Sequence, residues 1–200
     1  MRTLFRINFS AMRPEPLENR STSTSIFRFH EEVVSLALQE LSSKLVLCSR
    51  DMRTDIEFME LALEVARESA AAGEMPIGAI LVHDNKMVAR SGNRTIRDCD
   101  PTAHAEMVVL REASRVLGNY RLAGTTLYVT VEPCSMCAGA MIHARVPRLV
   151  YGCDDPKGGA VRSCFEIVQS PRLNHQVEVT SGILASECAA ILQAFFAIRR

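Results

Sequence analysis

The chain has 200 residues, which is the length of one domain or of one domain with an appendage. Its 23 basic and 23 acidic residues give a formal net charge of zero. This balance excludes a generically basic nucleic-acid coat protein, so any RNA or DNA binding would depend on a local patch. No apolar stretch approaches the roughly 20 residues that a membrane span needs. Seven cysteines, an odd number, argue against a closed disulfide framework and favour a reducing compartment.

The N-terminal part differs in composition from the rest of the chain. Residues 1–30 contain five arginines but only two glutamates, and residues 21–25 are all serine or threonine. No secretory apolar segment follows, so a signal peptide is not expected. Three interpretations stay open: a dispensable extension with Met52 as an alternative start, a disordered interaction tail, or an organellar transit peptide. We therefore predict an N-terminal extension over 1–52 and one domain over 53–200.

The regular elements begin at Asp55, which is the predicted cap of a helix that ends at Ala72 before Gly73. A hairpin follows, with strands over 77–83 and 86–91 and a tight turn at Asp84 and Asn85. Further helices are predicted over 103–117 (capped by Thr102), 133–144, 161–169 and 184–198, and further strands over 126–131, 149–151 and 177–180. A hairpin followed by alternating strands and helices is typical of a layered α/β domain.

Two short motifs carry metal-ligand chemistry. His104-Ala105-Glu106 opens one predicted helix, and Pro133-Cys134-Ser135-Met136-Cys137 opens another directly after a strand. A helix N-terminus favours thiolate over thiol, and two thiolates with one imidazole suit zinc. Three protein ligands leave a position for water, whose pKa zinc lowers to about 7 in well-studied sites. Glu106 would then be the proton acceptor.

Each motif has a simpler explanation when it is taken alone. A histidine and a glutamate at this spacing are common on surfaces, and a redox-active thiol pair also lies at a helix start after a strand. A satisfied core histidine beside an unrelated cysteine pair is another alternative. A zinc site without catalysis is a further one, although Glu106 would then have no role. The combination of the two motifs favours a catalytic zinc site.

Longer runs around these motifs carry a family resemblance. The runs are 100–106, 132–145, 151–152, 155–160 and the C-terminal 195–200. Together they resemble the tRNA-specific adenosine deaminase family of the cytidine and deoxycytidylate deaminase superfamily, whose zinc nucleobase deaminases share the paired motifs. The resemblance covers roughly 55–200 and not 1–51. It implies a cytidine-deaminase-like fold, a three-layer α/β/α sandwich around a mixed five-stranded central sheet.

The resemblance also implies an activity. His104, Cys134 and Cys137 would hold one zinc ion per subunit. Glu106 would move a proton from the attacking water to adenine N1 and assist the departure of ammonia, which converts adenosine to inosine. The implied substrate is the wobble adenosine in the anticodon stem-loop of an arginine tRNA, and the implied assembly is a homodimer. The expected location is the cytoplasm without membrane association, with organellar targeting by the extension as a minor alternative.

Further residues correspond to the substrate contacts of that family. Asn93 would hydrogen-bond the flipped base, and the backbone N–H of Ala105 would face it. Contacts to neighbouring nucleotides fall on Asp155, Lys157, Phe196 and Arg199. Structural alternatives stay open, because the two loop residues could decorate a solvated loop and Phe196 could belong to the core.

Two other functions compete with this one. A free-base deaminase acting on guanine or cytosine would share the zinc motifs, although residues 155–160 and 195–200 favour the tRNA enzyme. A non-catalytic RNA-binding subunit with a structural zinc is the second, and an intact Glu106 argues against it. The apolar residues of the cysteine helix could contact a second subunit or lie in the core; they are Met136, Ala140 and Met141.

Overall fold

A computed structural model describes residues 53–198, so Arg199, Arg200 and the extension over 1–52 lie outside the described residues. Its helices are α1 (Asp55–Ala71), α2 (Ala105–Val116), α3 (Ser135–Ala144) and α4 (Ala185–Ile198). Its strands are β1 (Gly78–His83), β2 (Lys86–Gly92), β3 (Thr125–Val131), β4 (Arg148–Cys153) and β5 (Glu178–Ser181). Within 53–198 no helix is both long enough and apolar enough to cross a bilayer.

The five strands form one mixed sheet in the order β2-β1-β3-β4-β5. β1 pairs antiparallel with both β2 and β3, whereas β3, β4 and β5 pair in parallel. Strands β2, β3 and β4 therefore point the same way, and their carboxyl ends lie at the same edge of the sheet. This edge is where open α/β sheets place their ligands. The arrangement confirms the predicted α/β/α class and the mixed five-stranded sheet.

Helices cover both faces of the sheet because its strands alternate buried side chains between the two faces. On one face Ile80 and Tyr128 pack with Phe58 of α1 and Cys188 of α4. On the other face the apolar side chains of β1, β3 and β4 pack with those of α2 and α3. Gly78 permits the close approach of α1, since a Cβ there would collide with the backbone of Ala62.

Several predicted element ends were wrong by one or two residues. The cap of α1 is Thr54, which forms a capping box with Glu57, and Asp55 is the first helical residue. The hydroxyl of Thr102 donates to Asp100 and does not cap α2, which begins after His104. At α1 the neighbouring Thr54 is therefore the cap, and at α2 the hydroxyl of Thr102 is taken up by Asp100.

The helix predicted over 161–169 is absent, and this prediction was wrong. The segment forms turns in which the consecutive backbone N–H groups of Val161, Arg162 and Ser163 all donate to the carboxylate of Glu132. Three successive amides that converge on one anion form a concave binding site for it, and this conformation differs from a continuing helix. A distant carboxylate therefore overrides the local helical pattern.

Candidate metal centre and active site

Two helix N-termini meet at the carboxyl edge of the sheet. His104 is the N-cap residue of α2, Cys134 is the N-cap residue of α3, and Cys137 lies in the first turn of α3. Neither side chain makes a capping hydrogen bond, and the His104 ring and the Cys134 sulfur face each other between the two helix starts. The positive ends of two helix dipoles therefore face the same space, which favours anionic sulfur there.

The three donor atoms of this site form a nearly equilateral triangle. His104 Nδ1 lies 3.6 Å from Cys134 Sγ and 3.7 Å from Cys137 Sγ, and the two sulfurs are 3.7 Å apart. A tetrahedral zinc with Zn–S near 2.3 Å and Zn–N near 2.0–2.1 Å would separate two sulfurs by about 3.8 Å, and a sulfur and a nitrogen by about 3.6 Å. The donor set and its spacing therefore fit zinc, with a fourth position left over.

The two thiols of the triangle are not equivalent. The hydrogen bonds that link Cys134 to Cys137 and to His104 lower the pKa of the Cys134 thiol to about 3 against the effect of burial. The same sulfur–sulfur contact, together with burial, raises the pKa of Cys137. The hydrogen bond to Cys134 raises the pKa of His104. A cation at the centre of the triangle would replace these protons as the partner of both sulfurs.

Glu106 lies in the first turn of α2 beside this triangle and is only 3% exposed. Burial raises the pKa of its carboxyl group above the ordinary value, and the proximity of His104 opposes that shift. Within residues 53–198 its Oε2 atom is buried and has no hydrogen-bond partner. A buried carboxylate oxygen without a protein partner is free to hydrogen-bond a water or a substrate at this site.

Asn93 follows β2 at the same edge of the sheet and is 6% exposed. Its Oδ1 accepts the backbone N–H of Ala105 at 2.8 Å, so a distant side chain caps α2. Its own backbone is held as well, because its N–H donates to Ile77 and its carbonyl accepts the hydroxyl of Ser69. The N–H of Ala105, predicted to face the base, is therefore bonded to Asn93. The Nδ2 group keeps the remaining donor capacity of this amide.

Glu132 belongs to the run 132–145 noted above, and no role was predicted for it from the sequence. It is 3% exposed and follows β3 directly. Its Oε1 accepts three backbone amides at 2.8–3.0 Å, and its Oε2 accepts the N–H of Asp155 at 3.1 Å and the hydroxyl of Ser163. Burial opposes ionisation, but these donors outweigh it and lower the pKa of Glu132 to about 2. The sequence signal for this buried role was the position of a charged residue between an apolar strand and Pro133.

Glu74, which the sequence reasoning also missed, plays a similar part on the other side of the site. It is 2% exposed and precedes β1. It accepts the backbone amides of Ile96 and Arg97 at 3.2 and 2.7 Å and the hydroxyl of Thr95 at 3.3 Å. Burial works against its charge, but the amides and this hydroxyl outweigh burial and lower the pKa of Glu74. It therefore fixes the loop that directly follows Asn93.

The residues predicted to contact neighbouring nucleotides are distributed differently. Asp155 and Lys157 lie on the loop after β4, where the Asp155 carboxylate accepts the backbone N–H of Lys157 at 3.0 Å and braces the turn. Lys157 is exposed, and Phe196 is 46% exposed near the end of α4, where it packs edge-on against Phe195. Arg199 lies outside the described residues.

The apolar residues of α3 are divided between core and surface. Met141 is fully buried and belongs to the core, whereas Met136 and Ala140 are partly exposed. Met141 therefore contributes to packing within the domain, and the other two keep both possible roles.

Comparison with known proteins places this geometry in a family. Residues 52–153 match the cytidine and deoxycytidylate deaminase zinc-binding region. The tRNA-specific adenosine deaminase of Haemophilus influenzae is 49% identical over 147 residues, which are 73% of this chain and 85% of that protein. The Agrobacterium fabrum protein of the same name is 52% identical over 143 residues, or 72% of this chain and 94% of that protein.

Solved structures share the fold. A structure from a study of A-to-I editing by tRNA:A34 deaminases at the wobble position of transfer RNA has a TM-score of 0.66 and 53% identity, and the match covers 68% of this chain and 99% of that chain. A guanine deaminase from Nitrosomonas europaea has a TM-score of 0.61 and 25% identity, and the match covers 73% and 86%. With these identities and coverages, the chain belongs to the tRNA-specific adenosine deaminase family within the zinc-dependent cytidine and deoxycytidylate deaminase superfamily.

Proposed function

We propose that this protein hydrolyses adenosine to inosine at the wobble position of the anticodon loop of an arginine tRNA. The observation that carries the proposal is the triangle of His104, Cys134 and Cys137 beside a buried Glu106 with an unpartnered oxygen. The relatives named above, of which this chain covers 85% or more, are tRNA-specific adenosine deaminases. A single-stranded loop suits this chemistry, because an unstacked base is extruded at little cost.

The residues of the site divide the reaction between them. His104, Cys134 and Cys137 would hold the zinc ion, which when bound would supply Lewis-acid activation of water. Glu106 accepts one proton from the attacking water and delivers it to adenine N1 as the water oxygen adds at C6. It then passes the remaining hydroxyl proton to the 6-amino group, which leaves as ammonia while the C6 carbonyl of inosine forms. Asn93 holds the base through its Nδ2 group.

Binding of the anticodon loop is assigned to residues of the loop after β4 and of the C-terminal segment. Lys157 offers a cation to a phosphate, and Phe196 offers an exposed ring for stacking on a base. Asp155 acts chiefly by holding the turn that carries Lys157. Arg199 would add a second cation at the C-terminal end of the chain.

The decisive experiment compares two substrates with zinc-loaded protein. One is an arginine-tRNA anticodon stem-loop with a wobble adenosine, and the other is a free base, guanine or cytosine. We expect inosine in the stem-loop, no deamination of the free base, and no inosine with a Glu106→Ala control. Deamination of the free base alone would show instead that the protein is a nucleobase deaminase. This is the second candidate function, because the fold is shared with a guanine deaminase.

Two arms complete the substrate test. The same stem-loop with a wobble guanosine should give no product, since only adenosine yields inosine. A stem-loop of another tRNA with a wobble adenosine tests the restriction to arginine tRNA, and equal kcat/KM on both would refute that restriction.

We also propose that the protein is a homodimer that acts in the cytoplasm. One surface supports the assembly: an apolar groove lined by Gly139, Ile142 and Leu173 runs beside α3, whose Ala140 is partly exposed. Sedimentation analysis should give twice the chain mass of 22.1 kDa. A monomer at micromolar concentration would contradict the assembly.

The catalytic domain is proposed to begin at Met52, because every site residue lies beyond it and the family match starts there. A protein that starts at Met52 should keep full activity on the stem-loop. A loss of solubility or activity would instead assign a structural or substrate-binding role to residues 1–51.

A further inference from the structure

The loop after β4 is tied to the metal-binding turn by a single buried carboxylate. Glu132 receives five donors, and all five come from residues 155–163. Three of them are consecutive backbone amides, which form an anion-binding concavity around its Oε1 atom. A charge buried to this extent is stable only when such donors surround it. The loop therefore closes around Glu132, and the Asp155 carboxylate adds a local contact to the N–H of Lys157.

Glu132 also directly precedes the metal-binding turn in the chain. Pro133 and Cys134 follow it, and the carbonyl of Pro133 accepts the N–H of Ala160 at 2.8 Å. Cys134 and Gly159 pair through an isolated β-bridge. Gly159 is packed so closely that a Cβ there would overlap the Glu132 carboxylate. The loop and the turn therefore form one rigid unit whose centre is Glu132.

The outer side of the loop has supports that do not involve Glu132. Arg162 pairs with Asp154 at 2.9 Å and stacks over the ring of Tyr151. Removal of the Glu132 charge should therefore shift and loosen the loop without unfolding it. The three proposed zinc ligands lie at the starts of α2 and α3, which set most of their spacing, and Cys134 also pairs with Gly159 of the loop through its backbone.

We propose that Glu132 is a positioning residue that sets where Asp155 and Lys157 stand relative to the metal centre, and so governs binding of the anticodon loop. The inference rests on the proposed function, because it takes the tRNA stem-loop as the substrate that this loop contacts. Glu132 touches neither the metal nor the base. It acts through the backbone of 155–163.

The test uses Glu132→Gln in the full-length, zinc-loaded protein. Glutamine keeps the volume but replaces an acceptor oxygen with an NH2 group that opposes the amide donors of the loop. We expect KM for the stem-loop to rise about tenfold and kcat to change less than threefold, the pattern of lost uniform binding. Zinc content should stay at one ion per chain. A fall in kcat at unchanged KM, or loss of zinc, would overturn the proposal.

Amide hydrogen exchange gives a readout that needs no substrate. In Glu132→Gln the amides of Val161, Arg162 and Ser163 should exchange at least tenfold faster, while the amides of β3 keep their rates. Unchanged exchange at these three positions would refute the positioning role even in an active enzyme. If the wild-type protein did not deaminate the stem-loop but the loop amides still exchanged faster in Glu132→Gln, the proposed substrate would be refuted. The positioning of the loop by Glu132 would still stand.

Ser163→Ala is the milder variant for the case in which Glu132→Gln fails to fold. It removes one of the five donors, the Ser163 hydroxyl, and leaves the carboxylate and the backbone amides in place. We expect a KM increase in the same direction but smaller, near twofold to threefold, again with kcat nearly unchanged. If Ser163→Ala folded normally and its KM equalled that of the wild-type protein, the result would contradict the role of the hydroxyl and the positioning of the loop by Glu132.

Discussion

Glu106 and Glu132 are both 3% exposed and both lie beside the metal-binding helix starts, yet their surroundings are opposite. Glu106 has a carboxylate oxygen without any partner in the described chain, and burial raises its pKa. Glu132 has five donors, and they lower its pKa to about 2.

The difference between these two carboxylates separates catalysis from positioning. A carboxylate that must take up and release a proton needs open hydrogen-bonding capacity and a raised pKa. A carboxylate that stays ionised at all working pH values and fills every lone pair with protein donors can only hold structure. Burial alone does not distinguish a catalytic carboxylate from a positioning one, but the hydrogen-bond donors around each carboxylate do.

The largest effect is expected for Glu106→Gln, which keeps the shape of the side chain but removes its basicity. Loss of a general base costs about 10²–10⁴-fold in rate. We therefore expect kcat on the stem-loop to fall at least about a hundredfold while the zinc content is unchanged. Single-turnover inosine formation and metal analysis measure both quantities. Turnover close to that of the wild-type protein would erase the contrast between Glu106 and Glu132.

A smaller loss of activity is expected for Asn93→Ala. This change removes the amide that is proposed to donate to the base, and neither Glu106 nor Glu132 can supply that donor. One hydrogen bond to the base is worth roughly 0.5–1.5 kcal/mol, so kcat/KM should fall about twofold to twelvefold. The N–H of Ala105 also loses its acceptor, so Asn93→Asp, which keeps that acceptor and removes Nδ2, is the matched control. If the aspartate variant retained full kcat/KM, Asn93 would serve only to cap α2.

The smallest change in activity is expected for Glu74→Gln, which tests whether Glu74 belongs with Glu132. Donors of the loop over 95–97 would lose a charged acceptor, at a cost of about 1–3 kcal/mol in the free energy of unfolding. The pKa of Glu74 is lowered by its loop donors in the folded state, so its stabilising effect is present above the unfolded pKa near 4.3 and is lost as pH falls through the folded pKa.

Urea unfolding at pH 7 and at pH 3 measures the Glu74 contribution. The difference between the wild-type protein and Glu74→Gln should be full at pH 7 and reduced at pH 3. Glu68→Gln is the matched control, because Glu68 forms an exposed pair with Arg90 and should contribute about 1 kcal/mol or less. A Glu74 effect that is equal at both pH values would show that the charge of this side chain has no part in holding the loop.

The candidate site was predictable where its chemistry depends on local spacing. The N-terminal positions of His104, Cys134 and Cys137 on two helices follow from residues that lie within a few positions of each other. Glu106 follows from its place two residues after the histidine. The tight turn at Asp84 and Asn85 was also predictable, since both residues tolerate the positive φ angles that they adopt, 47° and 58°.

Contacts between distant segments were not predictable in this way. The helix expected over 161–169 has a reasonable local pattern, but its amides bind a carboxylate about 30 residues earlier in the chain. The bond between Asn93 and Ala105 joins residues 12 positions apart and reassigns an N–H that sequence reasoning gave to the base. A single sequence does not show which buried polar groups meet.

The amino-acid sequence by itself determined the class of the fold, because hydrophobic periodicity encodes it, and short-range spacing was enough to propose the metal-ligand set and the proton acceptor. Only the tertiary structure decided which carboxylate is left open and which is filled. Buried polar groups must find partners, and those partners come from the parallel strand ends that the sheet order β2-β1-β3-β4-β5 brings to the same edge. Because of that requirement, the segment over 161–169 forms a loop whose amides bind Glu132 and not the predicted helix.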